Sequence, residues 1–382
     1  MNSHFLFLSL FCLLQLTNCA PLDSCSRVES CSKCVNSTDG FGYKCQWCAT
    51  SNSCASEQTT TTNCHVDDWT LNEYNCPTDV SNVNYDEPFM RNTVLPLVAA
   101  THAPSYEKVG LLYFLESQTF YFQLSRSLDT CFRDNDQIEV INAYEIFCDE
   151  TQITTCFAYS AYLKDRNAMV LVFRGTTTLF QLIDEGISFF LHPKIQFNVT
   201  KGVVDGYYLN AFYSLWNKGM RNDVEMVLNE KKDVKVWFFG HSLGGGLASI
   251  ASSYVAKTYE IDGSRTKLVT FGMPRIGDID LAEAHDELVP DSWRIEHSKD
   301  PIPALPPRTF PDDIDKGSFH HNTEIWYPHG MALGANFEIG TRPDTTVGRS
   351  VFPFNIEDHF TYFNVYLESW YIKGCNKEDV AP

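Results

Sequence analysis

The chain has 382 residues, 44% hydrophobic and 20% charged, which is enough for one large folded domain plus a small module. Its formal net charge of −19, with a pI near 4.9, argues against binding to nucleic acid or to anionic lipid headgroups. The acidity is therefore interpreted as favouring solubility.

The first 20 residues predict a secretory signal peptide. An apolar run from Phe5 to Leu14 is followed by small residues at Cys19 and Ala20, although no Lys or Arg precedes the run. Cleavage after Cys19 and cleavage after Ala20 fit equally well. No later stretch approaches the roughly 20 apolar residues of a membrane span. Residues 1–20 are thus expected to be removed, and the mature chain to be secreted, extracellular or lumenal, without a transmembrane segment.

Cysteine usage agrees with secretion. Of the 14 cysteines, two fall in the signal segment, and the even remainder predicts disulfides in an oxidising compartment. Eight lie in residues 21–77, a segment too poor in aliphatic residues to build a core without cross-links. The spacing of Cys31-x-x-Cys34 and Cys45-x-x-Cys48 is also compatible with zinc. Disulfides are favoured over a metal, and the connectivity stays open.

The cysteine pattern of residues 21–77 resembles the PSI-type module of plexins, semaphorins and integrins. The resemblance depends on Cys25, Cys31-x-x-Cys34, Cys45-x-Trp47-Cys48 and Cys54. It does not identify a partner for the module. The polar residues 78–88 are interpreted as a linker. N-glycosylation is predicted at two sequons, which begin at Asn36 and Asn198.

Strand and helix patterns alternate through the rest of the chain, residues 89–382. Continuous apolar runs predict buried strands, and a stripe of large apolar residues predicts a long helix from Gly206 to Leu228. Such alternation predicts an α/β fold, with a central, mostly parallel sheet covered by helices. The predicted strands are Ala168–Phe173, Val234–Phe239, Lys267–Gly272 and Trp293–His297.

The most informative motif follows the second of these strands. Gly240-His241-Ser242-Leu243-Gly244 fits the Gly-x-Ser-x-Gly nucleophile elbow, and the small-residue helix predicted from Leu247 completes its strand–turn–helix context. A turn this sharp requires a strained serine and glycines on both sides. Ser242 is therefore the predicted nucleophile.

A serine nucleophile needs a histidine base, which in turn needs a carboxylate. In this topology both follow the serine, each at a strand end. Asp300 comes just after the strand that ends at His297, and it is preferred over Asp278, for which helix capping or pairing with Arg275 is an ordinary explanation. The favoured base is His359, the last histidine in the chain. His320, His321 and His329 also follow Asp300 and stay as alternatives.

The oxyanion of the reaction needs at least two donors. One predicted donor is the backbone N–H of Leu243, directly after the nucleophile. The strand Ala168–Phe173 ends in Arg174-Gly175-Thr176, where Thr176 offers both an N–H and a hydroxyl. The alternative for Thr176 is an ordinary surface turn.

Five motifs, in order, resemble the class 3 lipases, the fungal-type triacylglycerol lipase family. They span roughly residues 90–375, although Trp237-Phe238-Phe239 is bulkier than the family's usual strand. The five motifs are Val172-Phe173-Arg174-Gly175-Thr176, Gly240–Gly245, Thr270–Asp278, Asp300–Pro306 and Asp358–Phe363.

The resemblance implies an α/β-hydrolase with Ser242, Asp300 and His359 as catalytic triad and Thr176 with Leu243 as oxyanion hole. It also implies disulfides joining Cys131 to Cys375 and Cys148 to Cys156, and a lid over residues 179–190. The expected activity is hydrolysis of acylglycerol esters at an oil–water interface, without metal or cofactor. A phospholipase, another esterase and an inactive secreted binding protein stay as alternatives.

Overall fold

The computed structural model describes residues 24–59, 64, 68–102, 138–148, 155–175, 193–308, 317–345 and 353–380. The predicted signal, the predicted lid, Thr176 and Cys131 lie outside these residues. The described residues divide into two compact units, with the boundary along the chain between Thr78 and Asp79.

The first unit is the disulfide-rich region expected from its cysteines. Its strands β1, β2 and β3 form an antiparallel sheet in the order β2-β1-β3, and its apolar cluster consists of six cysteines and Trp47, with Val28 and Val35 packed against it. The elements are a 3₁₀ turn Cys25–Arg27, α1 (Cys31–Val35), β1 (Cys45–Cys48), β2 (Ser53–Ser56), β3 (Trp69–Thr70) and a 3₁₀ turn Glu73–Asn75. The disulfides are Cys25–Cys45, Cys31–Cys76, Cys34–Cys54 and Cys48–Cys64.

The second unit is built on an eight-stranded sheet of order β13-β12-β11-β10-β9-β6-β5-β4. The five central strands are parallel, and antiparallel strands lie on both sides. The strands are β4 (Ile138–Phe147), β5 (Thr155–Leu163), β6 (Ala168–Phe173), β7 (Lys194–Gln196), β8 (Val203–Asp205), β9 (Lys235–His241), β10 (Thr266–Phe271), β11 (Ser292–His297), β12 (Glu324–Tyr327), β13 (Glu338–Ile339), β14 (Thr361–Tyr362) and β15 (Val365–Tyr366).

Helices cover both faces of this sheet, so the predicted α/β fold class is confirmed. The α-helices are α2 (Glu87–Phe89), α3 (Leu95–Ala100), α4 (Gly206–Leu215), α5 (Arg221–Glu230), α6 (Leu243–Thr258), α7 (Ile279–Leu288), α8 (Ile356–Phe360) and α9 (Leu367–Ile372). The π-helical turns are Met90–Val94 and Trp216–Met220, and the 3₁₀ turns are Lys164–Arg166, Gly263–Arg265, Ile302–Ala304 and Lys377–Asp379.

Strand β6 is a central strand that is buried on both faces of the sheet. All six of its side chains are buried. Val170 and Val172 pack in the core layer that contains α3, whereas Met169 and Leu171 pack in the layer that contains α4 and α6. Alternate side chains of a strand point to opposite faces, so a continuous apolar run fits a sheet covered on both sides.

The long helix predicted from Gly206 to Leu228 is interrupted. Helix α4 ends at Leu215, a π-helical turn follows, and α5 begins at Arg221. The break lies at Gly219, whose φ of 150° is not helical. A Cβ at this glycine would lie 3.0 Å from a ring carbon of Tyr144. Apolar periodicity predicts helical structure on both sides of Gly219, but it does not reveal a kink at a single small residue.

Candidate active site

Ser242 lies in the tight turn between β9 and α6. Its φ of 56° and ψ of −128° fall in a region of backbone conformation that residues other than glycine rarely adopt. A Cβ at Gly240 would lie 2.2 Å from the carbonyl oxygen of Gly244, and a Cβ at Gly244 would lie 2.3 Å from the carbonyl oxygen of Phe173. The two glycines therefore allow the strand and the helix to approach closely, as the elbow requires.

The same turn presents the N-terminus of α6, which begins at Leu243. The carbonyl of Ser242 accepts the N–H of Gly245 at 2.9 Å, and the N–H of Ser242 is bound to the carbonyl of Phe271 at 2.8 Å. The first N–H groups of a helix have no acceptor within the helix and carry partial positive charge. The Leu243 N–H therefore belongs to a set of donors suited to an anion next to Ser242.

Gly175 connects β6 to this turn. A Cβ at Gly175 would lie 3.0 Å from the carbonyl oxygen of His241 and 3.1 Å from the Cβ of Ser242. The loop that leaves β6 therefore passes directly beside the elbow. The predicted second oxyanion donor, Thr176, follows Gly175 but lies outside the described residues.

Asp300, in the loop after β11, and His359, in the short helix α8, form a buried pair. His359 Nδ1 lies 2.7 Å from Asp300 Oδ2, and the exposed fractions of the two side chains are 0% and 1%. The other carboxylate oxygen, Oδ1, accepts the N–H of Ile302 at 2.9 Å. The buried Nε2 of His359 has no hydrogen-bond partner among the described residues. An imidazole fixed at Nδ1 and open at Nε2 has the arrangement of a general base.

Gly272 allows this pair to form at the end of β10. Its φ is +56°, and an added Cβ would lie 2.6 Å from Tyr362 Oη, 2.7 Å from Asp300 Oδ2 and 2.8 Å from His359 Nδ1. Backbone at this position must therefore pass directly against the carboxylate and the imidazole. Glycine is the residue that permits both the approach and the positive φ.

Three further side chains support Asp300 and His359, and the sequence did not single them out. The Tyr362 hydroxyl donates to Asp300 Oδ2 at 3.2 Å. His241 Nε2 lies 2.7 Å from the carbonyl oxygen of His359, and His297 Nδ1 lies 3.2 Å from the carbonyl oxygen of Asp358. Both histidines donate to backbone carbonyls of α8, the helix that carries His359. Burial, followed by the neighbouring histidines, holds the pKa of His241 well below its usual value.

The loop after Asp300 is fastened by Arg275. Its Nη1 donates to the carbonyl of Ala304 at 2.7 Å and to that of Pro306 at 2.9 Å. Its Nε and Nη2 bind both carboxylate oxygens of buried Asp344. Burial alone would raise the pKa of Asp344, but the guanidinium outweighs it and lowers this pKa far below its usual range. The sequence offered capping or pairing with Arg275 as the explanation for Asp278; in the structure Asp278 caps α7, and Arg275 pairs with Asp344, far away in sequence.

The alternatives to Asp300 and His359 have other partners. Asp278 caps α7, and its Oδ1 accepts the N–H groups of Leu281 and Val203 at 3.0 Å. His320 Nε2 contacts the carbonyl oxygen of Pro303 at 2.8 Å, and His329 is exposed in a turn. None of these hydrogen bonds involves Ser242.

A second histidine cluster lies beside α6. The rings of His285 and His321 stack with centroids 3.8 Å apart, and with Asp286 they form a group of possible metal ligands. Stacked rings do not direct their nitrogen lone pairs to one point, as tetrahedral coordination requires. The ring nitrogens instead contact the hydroxyls of Ser253, Ser292 and Ser249. These contacts describe a structural network.

The remaining predicted positions are also placed where the structure describes them. Cys148 and Cys156 form a disulfide, and Cys375 is disulfide-bonded, while its predicted partner Cys131 lies outside the described residues. Asn36 and Asn198 are both exposed. Among the described residues, no helix combines the length and apolar character of a membrane span.

Comparison with known proteins agrees with this geometry. The class 3 lipase family model matches residues 170–310. A lipase of Caenorhabditis elegans is 27% identical over 292 residues, which cover 70% of this chain and 81% of the relative. A secreted mono- and diacylglycerol lipase of Fusarium solani is 36% identical over 91 residues, which cover 24% of this chain and 24% of the relative.

Solved structures show the same fold. The triacylglyceride lipase of Rhizomucor miehei superposes with a TM-score of 0.57 at 20% identity, covering 75% of this chain and 97% of that enzyme. Lipase II of Rhizopus niveus gives a TM-score of 0.57 at 20% identity, covering 73% and 94% of the two chains. The family match, the relatives and the fold agree that this chain is a lipase-like ester hydrolase, with residues 170–310 similar to the class 3 lipases.

Proposed function

We propose that the protein is a secreted lipase that hydrolyses acylglycerol esters with Ser242 as nucleophile, His359 as general base and Asp300 as its partner. The observation that carries the proposal is the buried Asp300–His359 pair, 2.7 Å apart, with the second imidazole nitrogen unpaired among the described residues. The strained elbow at Ser242 supplies a nucleophile of the kind that such a pair activates.

In the proposed reaction, Ser242 Oγ attacks the ester carbonyl carbon while its proton passes to His359 Nε2. The bond between that carbon and the glycerol oxygen then breaks, and Nε2 gives the proton to the leaving alcohol. Water attacks the acyl-serine and gives a proton to Nε2, which returns it to Ser242 as the fatty acid leaves. The Leu243 N–H, with Thr176 as the predicted second donor, stabilises the oxyanion in both steps.

Secretion belongs to the same proposal. The apolar first 20 residues, the disulfides of both units and the secreted fungal relatives support it. The fungal relatives named for mono- and diacylglycerols favour acylglycerols over phospholipids as the substrate class.

The test is hydrolysis of a soluble short-chain chromogenic ester by purified full-length protein. Ser242→Ala is expected to lower kcat by about 10³-fold or more, because it removes the attacking oxygen. Ser214→Ala is the matched control, since Ser214 is an exposed helical serine bound to the carbonyl of Asn210. Equal hydrolysis by wild type and Ser242→Ala would overturn the proposal, and no hydrolysis by either would favour the binding-protein alternative.

A further inference from the structure

One hairpin of the first unit displays two aromatic side chains to solvent. Phe41 is 62% exposed and Tyr43 is 45% exposed, and each follows a glycine. A Cβ at Gly40 or at Gly42 would have no heavy atom within 4 Å. Residues Gly40–Tyr43 are called the aromatic tip below.

The aromatic tip has a fixed conformation. Asp39 is buried at its base, where Oδ1 accepts the N–H groups of Phe41 at 2.8 Å and Tyr43 at 3.0 Å. Its Oδ2 accepts the Ser56 hydroxyl at 2.7 Å, and its own N–H donates to the carbonyl of Tyr43. Burial opposes ionisation, but these hydrogen bonds outweigh it and lower the pKa of Asp39. A loop held this way loses little conformational entropy when it binds.

The aromatic tip adds nothing to the apolar cluster of its unit. That cluster consists of cysteines and Trp47, with Val28 and Val35 packed against it, and includes neither Phe41 nor Tyr43. Exposing two aromatic side chains forgoes hydrophobic stabilisation that burial would provide. A rigid exposed pair of aromatics without a role in packing is available for binding.

Area and charge indicate what this surface fits. Aromatic side chains bury about 150–250 Å² each, so the exposed parts of these two amount to about 250 Å² or less. A stable protein complex buries about 800 Å² on each partner, which the aromatic tip alone does not approach. Insertion into a lipid surface needs no matching partner surface, and aromatic rings favour the boundary between lipid and water. Residues Gly40–Tyr43 carry no acidic or basic side chain, which suits an uncharged surface.

We propose that the aromatic tip is an interfacial anchor, which inserts Phe41 and Tyr43 into the surface of an acylglycerol droplet. The proposal rests on the proposed function, because the droplet is the substrate of that reaction. It assigns the first unit a role in recruiting the enzyme to its insoluble substrate, separate from the lid that the family resemblance implies.

Binding is tested with full-length protein from a eukaryotic secretory host, so that disulfides and any glycan at Asn36 are present. All variants carry Ser242→Ala to prevent hydrolysis, and the probe is a triolein emulsion without phospholipid. Phe41→Ser with Tyr43→Ser is expected to weaken flotation with the droplets about tenfold or more. Met226→Ser is the matched control, because Met226 is 42% exposed on α5 but lies next to the charged Glu225. Undiminished droplet binding by the double variant would contradict the proposed anchor and would favour a protein partner for the aromatic tip.

Activity provides the second arm, with Ser242 intact. The double serine variant is expected to hydrolyse emulsified triolein more slowly and the soluble ester at the wild-type rate. Phe41→Trp with Tyr43→Trp is expected to keep both activities, because tryptophan retains the interfacial preference. Equal losses on both substrates would contradict the anchor. If wild type fails on the soluble ester, the proposed function fails, while droplet binding still decides the role of the aromatic tip.

Discussion

The two units of the chain are stabilised by different means. Within its described residues, the first unit has four disulfides and an apolar cluster made largely of cysteine. The second has a sheet whose central strands are buried on both faces, and its polar anchors, such as Arg275 with Asp344, lie deep inside. In the first unit, covalent cross-links replace the core and leave aromatic side chains free for the surface. In the second, close packing positions Ser242, Asp300 and His359.

The largest expected effect tests how far the active site depends on close packing. Gly272→Ala places a methyl group within 2.6–2.8 Å of Tyr362, Asp300 and His359. We expect kcat on the soluble ester to fall at least about 100-fold, because a misplaced base or carboxylate slows general-base catalysis by that order.

The matched control for this change is Gly330→Ala. Gly330 also has a positive φ, +109°, but an added Cβ there meets no heavy atom within 4 Å. It therefore carries the same kind of backbone strain without the clash. Similar activity in the two alanine variants would show that the contacts at Gly272 do not govern the reaction.

The second expected effect is a difference between the two units in their sensitivity to disulfide reduction. The Cys31–Cys76 disulfide closes a loop of 45 residues, whereas Cys148–Cys156 closes one of 8. Loop-closure entropy assigns about 4 kcal/mol to the first and about 2.5 kcal/mol to the second. Mild reduction of the native protein should therefore expose the first unit to proteolysis and weaken binding to the triolein emulsion. The rate of hydrolysis of the soluble ester should stay within about twofold of that of the unreduced protein. A loss of this activity in parallel with droplet binding would show that the two units do not differ in their dependence on disulfides.

The smallest effect concerns pH and the buried histidines of the second unit. Burial lowers the pKa of His102 to about 4 and that of His285 to about 3. Their ordinary value is about 6.5, so the folded state binds fewer protons than the unfolded state. Each such histidine therefore leaves the free energy of unfolding unchanged above about pH 6.5. As the pH falls toward 4, it lowers that free energy by about 1–3 kcal/mol.

Thermal unfolding between pH 6.5 and pH 4 measures this dependence. His285→Gln should show a shallower decline of Tm over that range than wild type. The exposed His329→Gln serves as control and should follow the wild-type curve. Parallel curves for all three proteins would show that His285 is not linked to acid instability.

Much of the second unit follows from its sequence. Continuous apolar runs predict strands that are buried on both faces, and the structure confirms such a strand at Ala168–Phe173 without a shift. The elbow motif predicts Ser242 at the end of β9, because two glycines and a helix of small residues allow strand and helix to approach closely. The kink at Gly219 escapes prediction, because the tyrosine ring packed against this glycine comes from a distant strand.

Other features are set by contacts that sequence does not display. Eight cysteines within residues 21–77 predict cross-links but not which sulfurs meet, because the connectivity depends on the folded backbone. Tyr362, His241 and Arg275 lie inside motifs that were recognised. Their partners are a carboxylate, a backbone carbonyl and an aspartate far away in sequence, which become neighbours only in the fold.

The roles of Ser242 as nucleophile and His359 as base are tested most directly by reaction of the full-length protein with a soluble alkylphosphonate ester, followed by mass mapping of the labelled peptide. We expect one adduct on Ser242, formed at least about 100-fold more slowly in His359→Ala and at the wild-type rate in His329→Ala. Adduct formation at another residue, or equal rates in wild type and His359→Ala, would contradict these roles.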